Sequence, residues 1–205
     1  TNVLYNKDME QISASELALP LPNELMVVFG PHAGSGRMLD LAARLALRGP
    51  LYILDCGNRS NMYRVARELR LLTDDSAGKL KNIRLSRAFT CFQVYALLEK
   101  LTPEAGVPVL VMDLLSTFMD ESVQVDESAL TFLRTLDCIE RASLVTPVVV
   151  SAKPLLSLSS PRLALLAELK RRATHIWEEL SLSEPEPLNL QPSLFGETDL
   201  AGARR

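Results

Sequence analysis

The segment ELMVVFGPHAGSGRM, residues 24–38, joins a short apolar run to a glycine-rich turn. The run from Glu24 to Gly30 is rich in β-forming residues and stops at Gly-Pro, which is typical of a buried strand. After the turn, apolar side chains recur near helical spacing until Gly49 and Pro50 end the pattern. The segment therefore predicts a strand, an anion-binding type of loop and a helix, in that order.

The same alternation of strand and helix patterns continues along the chain. Strand-like runs are found at 51–55, 82–86, 107–113, 146–153 and 173–180, and helical patterns at 61–72, 91–101, 126–143 and 161–170. Buried strands separated by amphipathic helices indicate a parallel sheet that is covered on both faces. We therefore predict an α/β fold, a three-layer sandwich with a mostly parallel central sheet.

Composition divides the chain into three parts. Residues 1–22 mix polar residues with two closing prolines and are interpreted as a leader segment, whereas 23–180 carry the periodic patterns of one core domain. Residues 181–205 are rich in proline and acidic residues and lack periodicity, which predicts a flexible tail.

Composition and charge also restrict the function. The 205 residues are 47% apolar and carry a formal net charge of -3, so no overall basic field attracts nucleic acid or an anionic membrane. No apolar run approaches the length of a membrane span, and charged residues stand where a secretory signal would be apolar. Three widely spaced cysteines indicate reduced, buried thiols, and we expect a cytoplasmic protein with no metal site.

The glycine-rich turn has the composition of a phosphate loop but lacks two of its side chains. Backbone N–H groups in such a turn and at the following helix N-terminus can hold an anion, with Gly30, Gly34 and Gly36 supplying the flexibility. The P-loop consensus GxxxxGK[ST] is one residue shorter and has lysine and a hydroxyl where this chain has Arg37 and Met38. An arginine still binds phosphate, but a thioether does not ligate Mg²⁺. The alternative is a tight strand-to-helix connection without a ligand.

Several segments in order extend the likeness beyond the loop. VVFGPHAGSGRM, LYILDCGN, LSRAFTCFQ, VPVLVMDLLSTFMD and TPVVVSAKP resemble the RecA-like P-loop NTPase core of the RecA and recombinase superfamily, over residues 24–180. The resemblance implies that ATP binds at the loop through Gly30, Gly34, Ser35, Gly36, Arg37 and Met38. It leaves open whether Mg²⁺ binds together with ATP. It also implies that Asp113, after an apolar strand, is the Walker B aspartate and the catalytic residue.

Other positions depart from the family pattern. The family's general base is usually a glutamate two residues after the aspartate that ends the second strand, but Asp55 is followed by Cys56 and Gly57. Lys153 stands at the polar sensor position, where it either approaches a phosphate or is an exposed loop lysine. These departures predict weak or absent ATP hydrolysis.

The stretches that correspond to the family's DNA-contacting loops are poor in basic residues. MDESVQVDES, residues 119–128, contains four acidic residues and no basic one, and 153–162 contains only Lys153 and Arg162. Arginines at 59, 64, 67 and 70 lie along one predicted helix, where they form either a basic stripe or, as is usual for helix arginines, only a solvated face. We expect direct DNA binding to be weak or absent.

The tail contains QPSLF, residues 191–195, which is similar to the peptide by which bacterial replication and repair proteins bind the sliding clamp. Gln191, Leu194 and Phe195 would be the contacts, since an extended tail can present two apolar anchors and an amide to a pocket. The alternative is that the apolar residues of the tail fold back onto the core.

Together these features predict a RecA-like accessory protein of DNA recombination or repair that binds a partner protein. Two alternatives remain open at this point. One is an active ATPase, a homo- or hetero-oligomer completed by Lys153, Asp55 or a neighbouring subunit. The other is a structural partner subunit with an empty nucleotide site.

Overall fold

The computed structural model describes residues 19–154 and 162–178. Within these ranges six strands form one sheet in the order β3-β2-β4-β5-β1-β6, and every neighbouring pair is parallel. The strands are β1 Leu25–Phe29, β2 Leu51–Asp55, β3 Ile83–Arg87, β4 Val109–Met112, β5 Val148–Ala152 and β6 His175–Glu178. The predicted α/β class is confirmed, and the sheet is entirely parallel where the sequence predicted a mostly parallel one.

Six α-helices connect these strands in the described part of the chain. They are α1 Ser35–Arg48, α2 Met62–Leu72, α3 Ser76–Leu80, α4 Cys91–Lys100, α5 Val125–Ser143 and α6 Leu163–Arg172. Three of them begin with a side chain that accepts a backbone N–H: Asn61 before α2, Asp75 before α3 and Thr90 before α4. The short α3 and two 3-10 turns, Pro31–Gly34 and Leu114–Met119, were absent from the sequence prediction.

The helices form two layers because the strands are apolar on both faces. The first layer, α1 to α3, packs on a core that contains Met26, Val28 and Ile53 from the sheet. The second layer, α4 to α6, packs on the opposite face against Val27, Val111 and Val150. Neighbouring residues of one strand therefore face different cores, as the twofold period of a strand requires.

Two further expectations are answered by burial and helix length. Cys56, Cys91 and Cys138 are free thiols and all three are buried, as predicted. No helix in residues 19–154 and 162–178 is long and apolar enough to cross a membrane. The leader interpretation of residues 1–22 and the tail interpretation of 181–205 fall almost wholly outside the described residues and stay predictions.

Candidate functional site

The candidate site lies at the carboxyl ends of the parallel strands. Along the sheet, from β3 to β1, the strands end at or are directly followed by Arg87, Asp55, Asp113, Lys153 and Gly30. The chain leaves β1 and β2 toward the first helical layer but leaves β4 and β5 toward the second. Crevices open where such neighbouring strands diverge, and ligands of α/β sheets bind there. Because β3 also leads to the second layer, strands diverge between β1 and β5 and on both sides of β2. One crevice therefore lies between β1 and β5, and the other lies at the end of β2, beside β3 and β4.

The first crevice, which we call the loop cleft, consists of Gly30 to Arg37 with Lys153. His32, Ala33 and Gly34 are consecutive left-handed residues, with φ angles of 52°, 58° and 58°. L-residues in this conformation cost about 1–2 kcal/mol each. The Ala33 N–H donates to the Gly30 carbonyl at 3.0 Å, and the Ser35 N–H donates to the His32 carbonyl. These two amides therefore close the turn on itself and do not point at an external anion.

Gly34 and Gly36 are both held by close neighbours. A Cβ added to Gly34 would lie 2.9 Å from Val28 Cγ1, and its φ of 58° is itself unfavourable for an L-residue. A Cβ added to Gly36 would lie 3.1 Å from Nη1 of Arg64, which also forms an ion pair with Asp40. The glycines thus permit a tight loop against β1 and a close approach of an arginine to the start of α1.

The two side chains that replace the P-loop lysine and hydroxyl point to different surroundings. The Arg37 guanidinium lies over the Trp177 ring of β6, with its Cζ 5.2 Å from the ring centroid. Met38 is fully buried in the core beneath the first helical layer. Of the predicted nucleotide-binding residues, Met38 therefore serves packing, and it has no accessible atom to offer a ligand.

The remaining residues of the loop cleft are close together at the ends of β1 and β5. Gly30 is buried and extended, and its N–H donates to the Ala152 carbonyl at 3.4 Å. Lys153 follows Ala152 and is half-buried, as is Ser35 at the start of α1. The fold thus places Lys153, which directly follows β5, beside the loop that follows β1. More than 100 residues separate the two in sequence, so their spacing along the chain could not show this proximity.

The second crevice, which we call the acidic cleft, contains Asp55, Asp113, Arg59, Ser60 and Arg87. Asp113 is only 1% exposed, and its carboxylate accepts a hydrogen bond from Arg59 Nε at 3.1 Å. Its backbone is left-handed, with φ 54°, and its N–H donates to Ser151 Oγ at 3.1 Å. The residue predicted to be the Walker B aspartate is therefore held inside the protein by an arginine of the same chain.

Asp55 is fully buried and even more completely satisfied. Its two oxygens accept the N–H groups of Arg59 at 2.8 Å and Ser60 at 3.0 Å, the Ser60 hydroxyl, and Arg87 Nε at 3.2 Å. Burial acts to raise the pKa of Asp55, but the hydrogen bonds from Ser60 and Arg59 and the charge of Arg87 outweigh it. The pKa of Asp55 consequently lies below its usual value, and the carboxylate is ionised and saturated with donors.

Close packing leaves little room beside the Asp113 carboxylate. A Cβ added to Gly57 would lie 2.2 Å from Asp113 Oδ2, so only glycine fits beside that carboxylate. Burial, followed by the charges of Asp55 and Asp113, raises the pKa of Cys56 far above its usual value, which excludes a reactive thiolate. Over the described ranges, no cluster of three or more His, Cys, Asp or Glu side chains is arranged to hold a metal ion.

The structure corrects the sequence-based description of the arginines. Arg59 lies before α2 and binds Asp113, and Arg64 pairs with Asp40 of α1, so the two do not continue the stripe of Arg67 and Arg70. Arg162, assigned to the second DNA-contacting loop, is instead buried. It donates to the Phe118 and Val123 carbonyls and to Ser128 Oγ, and thereby joins α6 to the start of α5.

The residues that the sequence reasoning missed are the partners of the two aspartates. Arg59 and Ser60 follow Asp55 in the segment DCGNRS, and a polar run directly after a buried strand was the available signal. No sequence signal marked Arg87 in the SRAF segment, because its ion pair with Asp55 depends on the pairing of β3 with β2. Gln191, Leu194 and Phe195 lie outside the described residues.

Comparison with known proteins does not supply a family. No protein-family model matches the chain, and no curated protein matches it. The two crevices are therefore the features of the molecule that indicate a function.

Proposed function

We propose that this protein is a RecA-like accessory protein of DNA recombination or repair, located in the cytoplasm, that binds a partner and a nucleotide and hydrolyses ATP weakly or not at all. The observation that carries the proposal is the neutralisation of the acidic cleft. Asp113 is paired with Arg59, and Asp55 with Arg87 and Ser60. A RecA-like ATPase needs carboxylates at these strand ends that hold Mg²⁺ and orient water.

The loop cleft supports the proposed weak or absent ATP hydrolysis, because it lacks a side chain that could bind Mg²⁺ at the hydroxyl position. Mg²⁺ requires oxygen ligands, and the residue at the hydroxyl position is the buried Met38. Asp113 would first have to lose Arg59 before it could bind a metal-bound water. Chemistry is therefore disfavoured at two separate positions, whereas the strand, loop and helix arrangement is kept.

A phosphate-release assay with ATP and Mg²⁺ tests the absence of hydrolysis. We expect release at the rate of the buffer blank, and Asp113→Ala should leave that rate unchanged. Robust turnover that Asp113→Ala abolishes would contradict the proposal. A turnover rate per protein molecule that rises with protein concentration would instead indicate the ATPase completed by a neighbouring subunit.

A second candidate, a structural subunit with an empty nucleotide site, is favoured by two observations. The Arg37 guanidinium lies over Trp177, and the Ala33 and Ser35 amides are used within the turn. Thermal unfolding with and without ATP separates the two candidates, because a ligand at 100 times its Kd stabilises the native state by about 2.7 kcal/mol. An unchanged Tm at millimolar ATP supports the empty site, and a raised Tm supports nucleotide binding.

The partner proposed for the tail is a bacterial sliding clamp. Gln191, Leu194 and Phe195 form the pentapeptide likeness on which this part depends. Anisotropy of a labelled 188–198 peptide with purified clamp tests it, with a Leu194→Ala/Phe195→Ala peptide as the control. Equal signals from both peptides would exclude this partner and leave the rest of the proposal intact.

A further inference from the structure

The two helical layers differ in charge. Helices α1 to α3 together contain seven basic and two acidic residues, whereas α4 to α6 contain six of each. The whole chain carries a net charge of -3. The first layer is thus a basic face on an acidic protein, and such an asymmetry indicates an anionic partner on that side.

The outer face of α2 presents an aromatic ring among these charges. Tyr63 is 88% exposed, which is unusual for a residue that could bury its ring. Arg67 and Arg70 follow at i+4 and i+7, and this spacing places all three on one side of the helix. Leu71, 76% exposed, borders the same side. We use the name α2 face for Tyr63, Arg67 and Arg70 of α2 together with the exposed Arg44 and Arg48 of α1.

The neighbouring helix extends this surface. Arg44 and Arg48 are exposed and lie four and eight residues after Asp40, the residue of α1 that pairs with Arg64 of α2. Arg44 therefore lies on nearly the same side of α1 as Asp40, next to α2, and Arg48 lies about 80° further around the helix. Because both helices return from the carboxyl to the amino ends of parallel strands, α1 and α2 run in the same direction, and their exposed arginines belong to one helical layer.

The arginines of the α2 face differ from most others in their pairing. Arg59, Arg64, Arg84, Arg87, Arg171 and Arg172 each form an ion pair with a carboxylate. In the part of the chain that the structure describes, no carboxylate lies within 4 Å of the side-chain nitrogens of Arg44, Arg48, Arg67 or Arg70. The acidic residues nearest in sequence, Glu68 and Asp74, form no ion pair with these four arginines among the described residues. The guanidinium groups are therefore available to bind phosphate.

In contrast to the expectation from the loop stretches 119–128 and 153–162, we infer that the α2 face binds single-stranded nucleic acid. Rows of arginine can follow the phosphates, and an exposed tyrosine between them offers its ring to a base, the combination by which proteins bind single strands without sequence preference. Arginine suits this role because its guanidinium binds phosphate oxygens in a bidentate manner. The inference is independent of the phosphate loop and of the recombinase likeness.

The test is fluorescence anisotropy with a labelled mixed-sequence DNA oligonucleotide of about 20 nucleotides, measured from 50 to 200 mM salt. Wild type should bind with an affinity that falls as salt rises. Arg67→Ala/Arg70→Ala should reduce the slope of log K against log[salt] by about 1.4, since each lost contact with a single strand removes about 0.7. Arg134→Ala/Arg171→Ala, which removes the same charge from the second layer, is the matched control and should keep the slope.

Tyr63 provides a separate readout. Tyr63→Ala should weaken binding by about 5- to 150-fold, the loss expected for one stacked base, without changing the salt slope. Tyr63→Phe keeps the ring and should stay within about twofold of wild type. All these positions are exposed, so circular dichroism should show unchanged folding.

Three results would overturn the inference. The first is no anisotropy change at 50 mM salt, and the second is an equal loss of binding in the first-layer and second-layer double variants. The third is a preference of the surface for another anion. In that case polyglutamate at equal charge displaces the oligonucleotide, or the protein binds phosphatidylserine vesicles in its place.

Discussion

The loop cleft and the acidic cleft lie a few strands apart at one edge of the same sheet, yet different interactions hold their residues in place. The loop cleft keeps a glycine-dependent backbone, while its distinctive side chains turn toward Trp177 and the core. The acidic cleft keeps its carboxylates, but arginines of the same chain occupy them. Backbone conformation and close packing thus shape the loop cleft, whereas charge pairing holds the acidic cleft together.

The largest expected effect is at Asp55. Asp55→Ala removes the acceptor of Ser60, Arg59 and Arg87 and leaves buried donors without a partner. We expect a loss of about 3–5 kcal/mol in the free energy of unfolding, measured by urea denaturation. A loss below about 1 kcal/mol, typical of exposed ion pairs, would show that the acidic cleft is not a stabilising cluster.

Acid titration is the control for this variant. Because its pKa is lowered on folding, ionised Asp55 stabilises the protein fully above the unfolded-state pKa of about 3.9. That stabilisation disappears as the pH falls through the lower pKa of the native state. Wild type should therefore lose stability below about pH 4 more steeply than Asp55→Ala.

The next effect is expected at Gly57, where the two clefts differ in packing. In Gly57→Ala the new Cβ meets Asp113 Oδ2 and Cβ, at 2.2 and 2.6 Å in the present geometry. Displacement of Asp113 should lower the free energy of unfolding by about 1–3 kcal/mol. Gly49→Ala, which meets no atom within 4 Å, is the matched control, and equal losses in both would contradict the close packing.

A smaller loss is expected in the loop cleft. Gly34→Ala places an L-residue at φ 58°, which costs about 1–2 kcal/mol in addition to the contact with Val28. His32→Gly, at φ 52°, should act in the opposite direction and raise the Tm, because glycine adopts this conformation without strain. A stabilised Gly34→Ala variant would mean that the loop has another conformation in solution.

The smallest effect sharpens the comparison between buried and exposed charges. Arg84 forms an ion pair with Glu104 and a hydrogen bond with Tyr52, but Arg84 and Glu104 are half exposed. Arg84→Ala should change the Tm by no more than the scatter between repeat measurements, because solvent screens such pairs. A loss as large as that of Asp55→Ala would contradict the distinction.

Pattern reasoning placed the strands and most helices within a few residues, because strand and helix periods are local properties of the chain. It missed α3 because five residues give less than two turns of periodicity. It located the loop residues and Asp113 but assigned Arg162 to a DNA-contacting loop, because Arg162 ends the stretch 153–162 that corresponds to the second such loop of the resembled family. Only the fold shows that three acceptors surround that arginine.

By itself the amino-acid sequence determined the α/β class, the loop after the first strand and the absence of a P-loop lysine and hydroxyl, because each depends on residue type and local order. The tertiary structure decided which groups neutralise Asp55 and Asp113, since Arg59 and Arg87 approach them only through the parallel pairing of β2 with β3 and β4. It also decided that α1 and α2 lie side by side, joined by the ion pair of Arg64 with Asp40. Charge pairing acts through space, and distances through space are set by strand order and helix packing.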